Sequence, residues 1–319
     1  MKLKNKIKTL VNKLPYVRGL FKQTLNSAYP NGHFYSPVIS IEDIKKREAE
    51  IWKNVEIDGI LGIDLRTEAQ KKLLEQFAQY YNQMPFKAEK QVTIRYQFEN
   101  DYYSYTDGII LYSIIRHFKP KRIIEIGSGF SSAVMLDTNE LFFKNQIELT
   151  FIDPYPQRLF SLMTELDRQR VKVIESDVQL ISLDVFKKLE SGDILFVDST
   201  HVTKTRSDVN YILFEILPIL NRGVLIHFHD IFYPFEYPKD WVFRGFNWNE
   251  DYILKAFLMY NEKFEIKIFS EYLHKHHKEA FVDLPLTYLN KGGNLWIEKK
   301  NNFSYLAASP ERFQDGFEP

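Results

Sequence analysis

The fold of this chain is constrained most by a series of short apolar runs, rich in β-branched residues, that alternate with helix-like stretches. Five such runs are typical of buried parallel strands; they cover residues 122–127, 148–153, 171–176, 193–198 and 223–229. Helical patterns fill the intervals, over residues 131–143, 157–169, 180–189 and 206–220. Regular alternation of strand and helix predicts an open α/β sheet with helices on both faces.

Two further apolar runs follow, at residues 264–269 and 294–298, and Gly292 and Gly293 open the second run. No crossover helix is required between these runs, so the pattern is compatible with an antiparallel pair at the end of the sheet. The sequence therefore predicts seven strands.

The beginning of the chain differs from the rest in charge. Residues 1–22 carry seven lysines and arginines, and the first acidic residue is Glu42. Apolar residues recur at helical spacing up to Leu14, which predicts either a basic amphipathic helix on an anionic membrane or a solvated helix. Residues 41–81 are charged and apolar-periodic, which predicts further helices.

Four segments follow from these patterns. We expect a basic amphipathic N-terminal segment, a helical cap region, a ligand-binding domain and a C-terminal tail. Their predicted bounds are residues 1–27, 28–100, 101–300 and 301–319.

Composition excludes several classes of function. The chain has no cysteine, which excludes disulfide scaffolds, cysteine-ligated zinc, iron–sulfur clusters and thiolate nucleophiles. Its 42 basic residues equal its 42 acidic residues, so no overall field favours nucleic acid. Apolar stretches stay well short of the ~20 residues of a membrane-spanning helix, and residues 1–22 lack the pattern of a cleaved signal peptide. We expect a cytoplasmic protein that does not bind nucleic acid.

A ligand of such a sheet binds at the carboxyl ends of the strands. After the first run comes EIGSGFSS, in which Gly127 and Gly129 allow a tight turn before a helix. A dinucleotide-binding turn would have a third glycine at position 132, which is serine here. Glu125 would repel a pyrophosphate and suits a cationic cofactor.

Acidic residues follow the next two strands. Asp153 lies 26 residues after Gly127, close to the interval at which a carboxylate accepts ribose hydroxyls. Asp177, after the third strand, could accept from an adenine amino group or belong to an exposed acidic turn.

The fourth and fifth strands are followed by residues that can exchange protons. Asp198 and His201 follow one strand, while His229 and Asp230 end the other. Because these strands are adjacent in the predicted sheet, the four side chains should meet in one crevice, where an imidazole can take a proton from a hydroxyl. Alternatively, Asp198, His229 and Asp230 could hold a divalent ion. His227 lies one step deeper, and we expect a structural role for it.

A densely aromatic segment with two prolines follows at residues 231–248. We expect an irregular loop that covers the active site. The alternative is a loop that packs onto the core.

The ordered set of strands, glycine turn and acidic residues resembles the class I S-adenosylmethionine-dependent methyltransferases. Residues 104–132, 193–211 and 227–241 (HFHDIFYPFEYPKDW) are similar to a bacterial group, marked by an HDIFxPFEYPxxW-type motif, that is often associated with glycan and secondary-metabolite pathways. The resemblance covers residues 33–299. It implies a Rossmann-like, doubly wound, seven-stranded sheet that is mostly parallel with an antiparallel last strand, preceded by an N-terminal helical extension.

The resemblance also implies a cofactor and the residues that hold it. The cofactor is S-adenosyl-L-methionine, whose methionine end would lie on Gly127, Ser128 and Gly129, with Glu125 near its amino group. Asp153 would bind the ribose and Asp177 would lie beside the adenine.

In metal-dependent members of this fold, acidic residues after the fourth and fifth strands hold Mg²⁺, and Asp198 and Asp230 match them. His229 stands where a second carboxylate or amide is expected, which favours a histidine base over a metal.

The function expected on this basis is methyl transfer to a hydroxyl of a sugar, glycan or secondary-metabolite acceptor, by in-line displacement at the sulfonium carbon. His201 or His229 would be the base, oriented by Asp198 and Asp230. The alternatives are a nicotinamide-dependent oxidoreductase and a catalytically inactive scaffold in a glycan-assembly complex. Residues 1–22 offer a peripheral contact with the inner face of the membrane, and the oligomeric state stays open.

Overall fold

The computed structural model describes residues 27–300. The basic helix predicted within residues 1–22 and the tail predicted for residues 301–319 lie outside the described residues. The described chain forms two compact units: the smaller comprises residues 27–54 and 238–247, and the larger comprises residues 55–237 and 248–300. The predicted cap region, residues 28–100, therefore contributes to both units.

The larger unit is built on a seven-stranded sheet with the order β3-β2-β1-β4-β5-β7-β6. Its strands are β1 (Arg122–Ile126), β2 (Glu148–Ile152), β3 (Lys172–Ile174), β4 (Ile194–Val197), β5 (Leu225–His229), β6 (Phe264–Phe269) and β7 (Asn294–Lys299). β7 runs antiparallel to both of its neighbours, β5 and β6, and the pairs among β1 to β5 are parallel. The predicted fold is confirmed.

The strand order reverses between β1 and β4. From β1 the chain moves outward through β2 to β3, then returns to place β4 on the other side of β1. A crevice opens at the carboxyl ends of the strands where the order reverses in this way. The glycine turn after β1 and the residues after β4 therefore face the same crevice.

Helices cover the sheet and form the N-terminal extension. They are α1 (Ile41–Lys46), α2 (Glu48–Ile51), α3 (Thr67–Tyr81), α4 (Tyr105–Phe118), α5 (Phe130–Phe143), α6 (Gln157–Leu162), α7 (Glu165–Arg170), α8 (Asp208–Tyr211), α9 (Leu217–Ile219), α10 (Lys239–Phe243), α11 (Glu250–Leu258) and α12 (Ser270–His276). Residues 27–300 contain no helix long and apolar enough to cross a membrane.

Three predicted helices differ from the structure, each for a local reason. The helix predicted at residues 157–169 is broken because Thr164 accepts a hydrogen bond from the Asp167 amide and starts α7 as a separate helix. The helix predicted at 206–220 contains a π-helical turn, Ile212–Ile216, after which Pro218 stands in the first turn of α9, where its missing N–H is tolerated. The stretch predicted at 180–189 forms only a 3₁₀-helix, Leu183–Lys188.

A buried guanidinium joins the segment before α4 to two helices. Arg95 Nη1 donates to Asp137 on α5 at 2.8 Å, and its Nε and Nη2 donate to both carboxylate oxygens of Asp167 on α7 at 2.7 Å. Nη2 also donates to Glu140 at 2.7 Å. The amides of Arg95 and Tyr96 donate to Asp137 as well, so its carboxylate holds both backbone and side chain in place.

We expect Arg95→Met to lower the free energy of unfolding by about 3–5 kcal/mol, because it leaves Asp137 and Asp167 buried without their counter-ion. Urea denaturation followed by circular dichroism measures this loss. Arg170→Met, at the exposed end of α7, is the matched control and should change stability by less than about 0.5 kcal/mol. A loss below 1 kcal/mol for Arg95→Met would contradict the assigned role.

Candidate functional site

A cavity of about 520 Å³ lies at the carboxyl ends of β1, β2 and β4. Four of the residues predicted to hold a cofactor or a reacting group after these strands line it: Gly127, Ser128, Asp153 and Asp198. Asp177, after β3, lines the same cavity. The structure thus brings together five predicted residues from four chain segments.

Gly127 is required by the geometry of the turn. Its φ is +80°, and a Cβ at this position would lie 2.0 Å from the carbonyl oxygen of Asp198. The two residues are adjacent because β1 and β4 pair in parallel and the Asp198 amide donates to the Ile126 carbonyl at 2.8 Å. Any side chain here would force the glycine turn away from the end of β4.

Serine at position 132, the departure from a dinucleotide-binding turn, has a structural role. Its hydroxyl accepts a hydrogen bond from the Gly129 amide at 3.0 Å, at the start of α5. The same hydroxyl donates to Glu125 Oε2, and Ser131 donates to Glu125 Oε1. The turn is therefore tied to β1 by side-chain hydrogen bonds.

These contacts fix the carboxylate of Glu125, whose expected place near the amino group of a cofactor stays a prediction. Its side chain is completely buried, and both carboxylate oxygens are directed at Ser131 and Ser132. Burial raises the pKa of Glu125 to about 8, and the negative charges of Asp198 and Asp153 add to this effect. Neither Glu125 nor Gly129 is among the residues that line the cavity, so both support the turn from behind.

Asp153 is fixed by the turn beside it. One carboxylate oxygen accepts from the Ser128 amide at 2.9 Å and from the Ser128 hydroxyl at 2.7 Å. The other accepts from the Tyr155 amide at 2.7 Å. The oxygen that accepts from the Tyr155 amide keeps further acceptor capacity, which a ribose hydroxyl could use.

His201 is held from one side by a carboxylate that the sequence did not reveal. Its Nδ1 lies 2.8 Å from Glu250 Oε2, and its ring packs against Trp248 with centroids 4.3 Å apart. On the other side, its Nε2 lies 3.5 Å from Asp198 Oδ1 and 3.6 Å from Asp230 Oδ2.

His229 approaches the same two aspartates with its other nitrogen. Its Nδ1 lies 3.6 Å from both Asp198 Oδ1 and Asp230 Oδ1, while its Nε2 faces Asp107 Oδ2 at 4.0 Å. Asp107, in the first turn of α4, is itself fixed by Asn294 Nδ2 at 2.8 Å. Both histidines are nearly inaccessible to solvent.

The charges of this cluster are strongly coupled. Burial lowers the pKa of His201, but the neighbouring carboxylates of Asp198 and Glu250 outweigh it and raise that pKa to about 10. Burial likewise lowers the pKa of His229, while Asp230 and Asp198 raise it well above its ordinary value. The surrounding carboxylates therefore make both imidazoles stronger bases than an exposed histidine.

One group of donors suited to a metal includes His201. Among residues 27–300, the group whose donor atoms all lie within 4.8 Å of one another is Asp198, His201 and Asp230. The sequence pattern indicated Asp198, His229 and Asp230 as an alternative set. His229 is outside this group of three, although its Nδ1 lies 3.6 Å from an oxygen of each aspartate.

Sequence patterns missed Glu250 and Asp107. Glu250 lies 49 residues after its partner His201, in the first turn of α11, where an acidic residue is ordinary. Asp107 carried a usable signal, since it is the one acidic residue of a helix that is buried from Tyr105 to Ile115. His227 lies below the site, where its ring stacks on Phe196 at 4.0 Å.

The aromatic segment is only partly irregular. Its first half is buried in the larger unit, through Ile231, Tyr233, Phe235 and Tyr237. This burial agrees with the alternative prediction, in which the segment packs onto the core. Lys239–Phe243 forms α10 within the smaller unit. A role of this segment in covering the site stays a prediction.

We expect the free energy of unfolding to decrease as the pH rises from about 4.5 to 8, compared with that of the Glu125→Gln variant. The pKa of Glu125 is about 8 in the folded state against an ordinary 4.5, so folding retains a proton that the unfolded chain releases in this window. The stabilisation by this retained proton is complete below pH 4.5 and is lost as the pH rises through 8. The free energy of unfolding decreases by up to about 1.4 kcal/mol per pH unit in this window. Urea denaturation at several pH values tests this, and parallel profiles for the two proteins would contradict it.

Comparison with known proteins gives three findings. Residues 124–231 match a family model described as a methyltransferase domain. An uncharacterized protein of Archaeoglobus fulgidus is 34% identical over 168 residues, which cover 52% of this chain and 76% of that protein.

Solved structures are similar at lower identity. The SAH-bound methyltransferase of Podospora anserina is 17% identical, covers 86% of this chain and 100% of its own, and has a TM-score of 0.39. The O-methyltransferase TomG of Streptomyces achromogenes, crystallised with SAM, is 13% identical, covers 80% of this chain and 96% of its own, and has a TM-score of 0.38.

Proposed function

The chain belongs to the methyltransferase family, and from that premise we propose that it transfers a methyl group from S-adenosylmethionine to a hydroxyl oxygen of its acceptor. The observation that carries this proposal is the position of Asp198. Its side chain lines the cavity beside the glycine turn and also lies within 3.6 Å of both His201 and His229. A cofactor-sized cavity and a proton-accepting centre thus share one residue.

The cavity fits the cofactor in size and in the chemistry of its walls. A volume of about 520 Å³ is in the range of small-molecule sites. The fixed carboxylate of Asp153 would accept hydrogen bonds from the ribose, and Asp177 and Gln179 line the part of the cavity formed after β3. The bound cofactor supplies an electrophilic methyl group on a sulfonium.

The histidines provide the proton acceptor. An imidazole nitrogen at the end of β4 or β5 takes the hydroxyl proton as the acceptor oxygen forms its bond to the methyl carbon and the carbon–sulfur bond breaks. Glu250 behind His201 and Asp107 behind His229 stabilise the imidazolium that results. Close positioning of the reactants supplies most of the acceleration.

The acceptor that this site suits best is a sugar or another hydroxylated small molecule. Two carboxylates and two imidazoles can bind and deprotonate hydroxyl groups, and the ring of Trp248 beside His201 offers an aromatic face for a sugar or a ring-shaped acceptor. The association of the related bacterial group with glycan and secondary-metabolite pathways favours the same acceptors.

Magnesium, implied by the resemblance, would be held by Asp198 and Asp230, which have donor atoms within 4.8 Å of each other and of a nitrogen of His201. Mg²⁺ is commonly bound by one or two carboxylates and keeps several waters. No step of the proposed reaction is routed through magnesium.

We expect isothermal titration to show binding of S-adenosylhomocysteine and none of NADH. Asp153→Asn should weaken the binding of S-adenosylhomocysteine at least tenfold, about 1.4 kcal/mol, because the ribose loses a charged acceptor. The exposed Asp184→Asn is the control and should bind within twofold of the unchanged protein. Binding of NADH alone would indicate an oxidoreductase, and binding of neither would favour a scaffold.

We expect replacement of both His201 and His229 by alanine to abolish methyl transfer, because no imidazole then remains to take the hydroxyl proton. Transfer of tritiated methyl groups from S-adenosylmethionine to a panel of sugars, phenols and amines measures activity, and mass spectrometry locates the methyl group. His33→Ala, in the smaller unit, is the control for activity. Binding of S-adenosylhomocysteine should stay within threefold in the double variant. Full activity of that variant, or transfer to amines alone, would overturn the assignment.

A further inference from the structure

An exposed group of aromatic side chains lies in the smaller unit, within residues 29–38 (YPNGHFYSPV). Phe34 is 81% exposed, Tyr35 is 65% exposed and Tyr29 is 42% exposed. Single exposed aromatic residues are ordinary, but a contiguous group of them marks a surface that interacts with a partner or a membrane. The proposed methyl transfer uses none of these residues.

The backbone of loop 29–38 is fixed by its own hydrogen bonds. The Gly32 amide donates to the Val38 carbonyl at 2.9 Å, and the Ser36 amide donates to the His33 carbonyl at 2.7 Å. Gly32 has a φ of +82°, a left-handed conformation that glycine adopts without strain. The rings are therefore presented to solvent by a closed turn of the backbone.

The aromatic rings of loop 29–38 pack on one another. The His33 ring stacks on Tyr29 with centroids 4.7 Å apart and on Phe34 with centroids 4.3 Å apart. The Tyr35 centroid lies 4.2 Å from that of Phe34 and 5.1 Å from that of Tyr29. Such stacking stabilises a ring arrangement that has no core to pack against. The four rings thus form one continuous aromatic surface.

The charge of the neighbouring sequence favours an anionic partner. Residues 1–41 contain no aspartate or glutamate, and seven lysines and arginines precede the loop within residues 1–22. The seven residue steps from Lys22 to Tyr29 span at most about 25 Å. The cations and the aromatic surface can therefore reach the same partner at once.

A membrane with anionic lipids is the partner that uses both features. Aromatic rings lie at the level of the lipid headgroups, and lysine and arginine are attracted by anionic headgroups. One of these contributions alone gives weak, reversible binding, and stable association takes two. A neutral glycan would stack on the rings but would not be attracted by the cations.

We propose that loop 29–38 docks on a membrane surface that contains anionic lipids, with Phe34 and Tyr35 inserted at the level of the headgroups. The expectation for residues 1–22 concerned the cations, and the described part of the chain adds an apolar surface to them. The proposal does not rest on the proposed methyl transfer, because no residue of the strand ends takes part in it.

Vesicles of defined composition test the proposal. The full chain is sedimented with vesicles of phosphatidylcholine alone and with vesicles of equal parts of phosphatidylcholine and phosphatidylserine. We expect about tenfold or stronger binding to the mixed vesicles, and weaker binding as the salt concentration rises, because exposed charges are screened. Equal binding to both kinds of vesicle would overturn the proposal. Absence of binding would also overturn it and would indicate a protein or a glycan as the partner of the loop.

A matched pair of variants separates loop 29–38 from residues 1–22. Phe34→Ser combined with Tyr35→Ser removes the two most exposed rings of the loop, whereas Tyr260→Ser removes a ring of the larger unit that is also 81% exposed. We expect the double variant to bind the mixed vesicles about tenfold more weakly and Tyr260→Ser to change binding by less than about twofold. Unchanged binding of the double variant would assign the contact to residues 1–22 alone and overturn the role of the loop.

Tryptophan substitution covers the case in which the double variant does not fold. Phe34→Trp keeps an aromatic ring in the loop, and Tyr260→Trp is its control. On addition of mixed vesicles, we expect the fluorescence of Phe34→Trp to shift to shorter wavelength and to be quenched by lipids with brominated acyl chains, relative to the unchanged protein. Tyr260→Trp should show neither change. Unshifted, unquenched fluorescence of Phe34→Trp that sediments with the vesicles would overturn the insertion of the loop.

Discussion

The site depends on one close approach between two backbones. The parallel pairing of β1 with β4 sets Gly127 against the carbonyl oxygen of Asp198, at a distance that leaves no room for a Cβ. Because of this contact, the glycine turn, which forms one wall of the cavity, lies directly beside Asp198. Asp198 is also the first residue of the cluster that contains His201, His229 and Asp230. A shift of this pairing by one residue would separate the cavity from the cluster and direct Asp198 to the other face of the sheet.

Next to that contact, the interior contains several charged side chains, whose burial is unfavourable unless they are paired. Two imidazoles are surrounded by four carboxylates, those of Asp198, Asp230, Glu250 and Asp107. His201 lies between Glu250 and the pair Asp198 and Asp230, and His229 lies between Asp107 and the same pair. Buried charges of this kind persist only when they are paired. Arg95 applies the same rule away from the site, where its guanidinium joins two helices through three carboxylates. Unlike the cluster around Arg95, the cluster at the strand ends contains imidazoles, which can change protonation.

Features that depend on residues close together in the sequence could be predicted, whereas contacts between distant parts of the chain could not. The strands and the meeting of Asp198, His201, His229 and Asp230 could be predicted, because β-branched runs specify strands and the ends of adjacent parallel strands converge. The contact of Glu250 with His201 could not be predicted, because Glu250 lies in a distant helix whose first turn shows only an ordinary acidic residue. Asp107 stood out as the acidic residue of a buried helix, but nothing in the pattern indicated its partner. The setting of Glu125 could not be predicted either, because the hydrogen bonds from Ser131 and Ser132 that fix its carboxylate depend on the geometry of the turn.

The two histidines differ in how their rings are held. His201 contacts its carboxylate partner Glu250 with Nδ1 and presents Nε2, whereas His229 presents Nδ1 and turns Nε2 to Asp107. The Glu250 contact, at 2.8 Å, is a full hydrogen bond, while the Asp107 separation of 4.0 Å is not. The same pair of aspartates therefore lies between one imidazole that is anchored by a hydrogen bond to a carboxylate and one that is not.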